Sequence, residues 1–174
     1  AAGFFFFFFG VRPAEAATVI HSGYEYISTD TVWHTGDVHS VVGDGSAIFV
    51  DYGVTLTIEP GVTVKFDSNS SLWISGKLMA GGTTDQPVVF TSIKNDAYGG
   101  DSNGDGSATM PAPGDWYGLV VPLQRDDPYV PVDGELKLDH VIISYGGRSN
   151  DNNMSVIELA QSPDCVISNS ELFD

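Results

Sequence analysis

The sequence predicts an all-β chain whose short strands stack into a β-solenoid. Three observations carry that expectation. From Val54 onward, apolar and polar residues alternate over short runs, the period of a half-buried strand. The short turns between the runs from Val54 to Ile93 are Gly-, Pro-, Asn- and Asp-rich but lack the Asn-Gly or Asp-Gly pairs of two-residue hairpins. Finally, DHVIISYGG (139–147) and DCVISNSEL (164–172) align with an offset of 25 residues. A repeat of that length, with several short strands in each, is the pattern of stacked coils that bury one another's inner faces.

Each element follows from the alternation. Val54, Leu56 and Ile58 share one face of a strand, and after Glu59-Pro60-Gly61 the same holds for Val62, Val64 and Phe66. Leu72 and Ile74 continue the pattern, then Leu78 and Ala80, and Val88 to Ile93 form a further run. GLVV (118–121) lies about one coil before SVIELAQ (155–161), which is expected between the two aligned segments. No stretch from residue 30 to 174 keeps a 3.6-residue period over three turns, so no helix is expected.

Composition bounds the function. Seven Lys+Arg against 23 Asp+Glu give a net charge of −16, which repels phosphates and anionic lipid, so neither nucleic acid nor membrane insertion is expected. Cys165 is the one cysteine, so no intrachain disulfide forms. Residues 1–16 combine an apolar run with Ala14-Glu15-Ala16, resembling the back half of a signal peptide and its cleavage site. Their apolar run is too short for a membrane span. The expectation is a secreted or cell-surface protein with a single domain over residues 17–174.

The loop GGDSNGDGS (99–107) is the strongest candidate site. Asp101, Asn103 and Asp105 alternate with small residues and Gly106 follows, the arrangement of oxygen ligands and turn that Ca²⁺ requires. Ala112 stands where an EF-hand would place a bidentate Glu, and helical flanks are missing, so an EF-hand is excluded. Asp96 and Asp115 are the expected additional ligands of a structural calcium. Among the aromatics, Trp73 runs out of phase with Leu72 and Ile74 and is expected to face outward. Trp116 opens a strand and either packs beneath the loop or, with Trp73, contacts a glycan. His34 and His39, five residues apart, make no helical metal face. His140 is expected to serve a turn, and Asn169 and Ser170 to form a polar ladder at a coil corner.

The succession GVTLTIEPGVTVKF, GKLMAGGTTDQPVVFTS, GGDSNGDG, PAPGDWYGL and LDHVIISYGG resembles bacterial secreted right-handed parallel β-helix proteins of the pectate-lyase-like superfamily, over roughly residues 30–172. The resemblance implies that fold, with either a fragment or an open C-terminal end prone to end-to-end self-association. It leaves function open, because the fold hosts lyases, hydrolases, adhesins and structural modules. Lyases of this fold pair calcium with an Arg or Lys base. The loop arginines Arg125 and Arg148 sit beside Asp126, Asp127 and Asp151, as surface ion pairs do, and no Gly-His-Gly or Arg-Ile-Lys segment of the hydrolases occurs. The leading expectation is therefore a non-catalytic structural or adhesive module stabilised by calcium. The alternative is a carbohydrate-active β-helix, either a polysaccharide lyase or a glycan-binding domain.

Overall fold

A computed structural model describes residues 17–122, 134–147, 156–159 and 164–173. Those residues form β1 (Thr18–Ile27), β2 (Thr31–Trp33), β3 (Val38–Val50), β4 (Thr55–Ile58), β5 (Thr63–Phe66), β6 (Ser71–Ile74) and β7 (Lys77–Gly81). There follow β8 (Val88–Ser92), β9 (Gly118–Val121), β10 (Glu135–Asp139), β11 (Val141–Ser144), β12 (Ile157–Leu159), β13 (Cys165–Ser168) and β14 (Glu171–Phe173). Among the described residues there is no helix, and so none long and apolar enough to cross a membrane. The expected signal-peptide remnant, Arg125 and Arg148 lie outside the described residues.

Among the described residues all the pairings are parallel, in a nine-stranded and a five-stranded sheet. The chain visits three columns in turn. The first stacks the start of β1, the start of β3, then β5, β8, β11 and β14; the second stacks the ends of β1 and β3, then β6, β9 and β12. The third is β2, β4, β7, β10 and β13. An all-strand, parallel arrangement of this kind is consistent with a solenoid-like fold. β3 is long because it serves two columns, pairing with β5 through Val38–Val41 and with β6 through Ala47–Val50.

The alternating residues form inward rows. Val64 pairs with Phe90, which pairs with Ile143; Ile48 pairs with Leu72, which pairs with Leu119; Leu56 pairs with Leu78, which pairs with Leu136. All of these are buried, in a single core. Parallel strands need long crossovers, so each coil gains its core only from its neighbours.

The C-terminal repeat needs correction. Val166 was expected opposite Val141 and Asn169 opposite Ser144, at an offset of 25. Instead β13 pairs with β10, placing Val166 against Lys137, while β14 pairs with β11, placing Phe173 against Ser144, both at an offset of 29. The offset of 25 does hold earlier, between Val38 and Thr63 and between Thr31 and Leu56. Residues 164–172 carry β13 and β14 of the third and first columns, so the matching letters compare strands from different columns. At the corner after β13, Asn169 takes a positive φ of 49° and donates to Asp139 Oδ1, and the Ser170 hydroxyl accepts from Val141 N–H, as a corner ladder requires.

Candidate functional site

The Gly/Asp loop folds back over the outer face of the first column. Gly99, at φ +68°, lies so close to that face that a Cβ there would come within 3.1 Å of both Val38 methyls. Asn95 donates to Thr91 Oγ1, and Thr91 shares a hydrogen bond with Ser144. Covered in this way, the outward-facing Ser40, Lys65, Thr91 and Ser144 are all buried. At the far base of the loop, Asp115 accepts from Ser92 Oγ and Ala112 N–H and pairs with Lys94 at 2.8 Å.

Most oxygens of the expected calcium ligands are engaged within the chain. Asp101 accepts from the amides of Gly104, Asp105 and Gly106, the last at a φ of +63° that glycine adopts without strain. Asp105 accepts from Thr109 through both its hydroxyl and its amide, from Ala108 N–H, and from Asn103 Nδ2. These bonds, that from the Thr109 hydroxyl foremost, hold the Asp105 carboxyl below the usual range. Asp96 Oδ2 accepts from Ser107, while its buried Oδ1 has no hydrogen-bond partner. Among the described residues no group of three or more acidic, His or Cys side chains converges as a metal site. Asp101, Asn103 and Asp105 are one Asx-turn network, and with Asp115 bound to Lys94 the residues do not fit the ligand set expected for calcium.

The positive charge beneath this loop belongs to Lys65. It is fully buried, and its ammonium donates to the Gly100 carbonyl. Burial pushes its pKa down, and the nearby Asp96 and Asp101 carboxylates oppose that shift. Alternation on β5 places Lys65 outward, but nothing in the sequence marks that position as covered.

The two tryptophans part company. Trp116 is fully buried, stacks on Phe66 at 4.3 Å, and donates its indole N–H to the Ser144 carbonyl. It lies in the hydrophobic core and offers no surface to a sugar. Trp73 faces outward in the second column, half-buried, as its phase on β6 requires.

Around Trp73 the second column builds a groove of about 270 Å³. Each strand there presents two outward positions. The first pairs Tyr24, Ala47, Ser71 and Gly118 in register; the second pairs Tyr26, Phe49, Trp73 and Val120. The small Ala47 and Ser71 of the first row, beside the rings of Phe49 and Trp73 in the second, leave a channel lined also by Tyr24, Gly45, Asn69 and Tyr117. Tyr26 stacks on Phe49 at 5.0 Å, Phe49 on Trp73 at 6.2 Å, and Tyr24 meets Phe49 edge-on. Trp73 Nε1 donates to Ser71 Oγ, and Asn69 Nδ2 to Asp44. Tyr24 and Tyr26 are 72% and 60% exposed. The combination of apolar ring surface and a few fixed polar groups is what a small-molecule or oligosaccharide site requires.

A second polar cluster closes the core beneath β1. His21, His39 and Trp33 are mutually packed rings, with Trp33 and His39 stacked at 3.9 Å. Glu25 bonds His21 Nδ1 at 2.8 Å, and His21 Nε2 meets His39 Nδ1 at 3.0 Å. If Glu25 accepts from His21, then His39 Nδ1–H donates to His21, and the buried, unpartnered His39 Nε2 keeps a bare lone pair. Burial first, then His21, lowers the His39 pKa to about 4 against a weaker upward pull from Asp37. His34 is far more exposed and bonds Glu59, so it takes no part with His39. His140 sits at the turn between β10 and β11 with φ 51°.

No family model, curated protein or solved structure matches this chain.

Proposed function

We propose that the chain is an extracellular, non-catalytic carbohydrate-binding module of adhesive character, built as a right-handed parallel β-helix of the pectate-lyase-like kind. The aromatic groove of the second column carries this reading. The handedness rests on the parallel crossovers, which are right-handed in about 98% of cases, and on the sequence resemblance. Export rests on the apolar N-terminal segment and the strong negative charge. A binding rather than lyase role is supported by the described lysines: Lys65 is buried, Lys94 pairs with Asp115, and Lys77 and Lys137 pair with Glu135.

Binding is tested by titrating glycan oligosaccharides into the whole chain by calorimetry. Trp73→Ala is expected to weaken affinity about tenfold, the equivalent of ~1.4 kcal/mol for one aromatic contact, with an unchanged β-type circular dichroism. Equal binding by the variant would remove the groove from the reading.

A further inference from the structure

The geometry points to a neutral, extended glycan, laid along the stacking axis and across the strands, as the occupant of the aromatic groove. This rests on the reading that the groove binds carbohydrate. The direction comes from the register. The floor residues Ala47 and Ser71, and Gly118 next in register, belong to three successive coils, and so do Phe49, Trp73 and Val120 in the neighbouring row. Strands in a sheet are about 4.8 Å apart, so three rungs span roughly 10 Å along the axis. An occupant must therefore be narrow and elongated, with apolar faces toward the rings and hydroxyls toward Ser71, Asn69 and the tyrosine phenols. An extended pyranose chain has that character. An extended peptide would need an unpaired strand edge to hydrogen-bond, yet β3 and β6 are paired on both sides in this column.

Neutrality comes from charge. Among the described residues no cationic side chain lines the groove. Asp44 lies beside it through Asn69, and the aromatic row runs on through Val120 to Glu158. The described lysines are committed elsewhere: Lys65 beneath the loop over the first column, Lys94 to Asp115, and Lys77 and Lys137 to Glu135 on the third column. With a net charge of −16 around it, a polyuronate would bring one carboxylate per sugar into a negative potential without a partner. The groove thus selects against the acidic polysaccharides that lyases of the resembled superfamily take.

Affinity electrophoresis of the whole chain through gels containing a soluble neutral β-glucan, or polygalacturonate, tests the assignment, with calorimetry on the matching hexasaccharides and an unstructured peptide. Retardation by the neutral glucan is expected at low and high salt alike, with no retardation by polygalacturonate. Ala47→Leu, which fills the floor, is expected to cut neutral-glycan affinity at least about tenfold, with its melting curve showing a folded chain. Polygalacturonate bound as tightly as glucan would overturn neutrality and leave the carbohydrate reading standing. Undiminished binding by folded Ala47→Leu would overturn the placement along the groove. Binding of the peptide alone, or of no glycan by the folded chain, would reject this inference and the proposed function together.

Discussion

Lys65→Met should destabilise the chain by about 3–5 kcal/mol, the usual consequence of removing one partner from a buried charged cluster. Met keeps the apolar stem and deletes only the ammonium. The Gly100 carbonyl then loses its donor and the Asp96 carboxylate, already with one unpartnered buried oxygen, loses its nearby positive charge. The loop contributes little apolar burial of its own, while ordering its roughly twenty residues costs on the order of 1 kcal/mol each. Loss of the clamp should therefore release residues 95–114 to protease before the body unfolds. Asp96→Asn in the Lys65→Met background should recover part of the loss, because it removes the carboxylate left without a counter-charge. Chelator should leave the melting temperature of the unaltered chain unchanged. A chelator-induced drop, with Lys65→Met no less stable than the parent, would return the clamp to calcium.

The reason calcium was the expectation shows where sequence ceases to be informative. Asp101, Asn103, Asp105 and Gly106 satisfy a ligand pattern and an Asx-turn pattern equally well, because both ask for short side-chain oxygens at alternate positions next to a glycine. What separates them is the direction of those oxygens, which turn back onto the loop's own amides. Lys65 could be placed on an outer face by alternation, but its burial depends on a loop some 35 residues later in the chain.

The strands themselves were legible because alternation is a local property. Leu56, Ile58, Val62, Val64, Phe66, Leu72, Ile74, Leu78 and Ala80 all lie in the core as their phase requires. Register was legible only where coils are of similar length. Between β8 and β11 the offset grows to 53 residues, because the Gly/Asp excursion and the segment after β9 lie within that coil. The same irregularity hid the groove. Trp73 could be turned outward from its own strand, but Tyr26, Phe49 and Trp73 are spaced 23 and 24 residues apart and share no flanking motif. Aligning YEY, AIF and SLW by strand phase, rather than by letter, would have revealed the row.

Acidification should cost stability through His39, on the order of 3 kcal/mol between neutral pH and pH about 4. The folded pKa of about 4 lies below the ordinary value of 6.5, so the folded state favours the neutral ring. Between those two values the unfolded chain binds a proton that the folded chain refuses. Stability from this group is therefore complete above about pH 6.5 and declines as pH falls toward 4. The surroundings of the ring account for the direction: burial, with Trp33 covering one face, comes first, His21 adds to it, and Asp37 supplies a weaker opposing pull, with Glu25 engaged by His21. Many carboxylates titrate over the same range, so the measurement must be a difference. His39→Leu continues the apolar row of Val64 and Phe90, and its unfolding free energy should fall less steeply with acid than that of the parent. Parallel curves for the two proteins would exclude His39 as the source. The effect should also reach the groove, because β1 carries His21 inward and Tyr24 and Tyr26 outward on the same strand. Loosening β1 from its histidine stack withdraws the ring that packs on Phe49. Glycan affinity should then decline with acid in the parent and hold in His39→Leu.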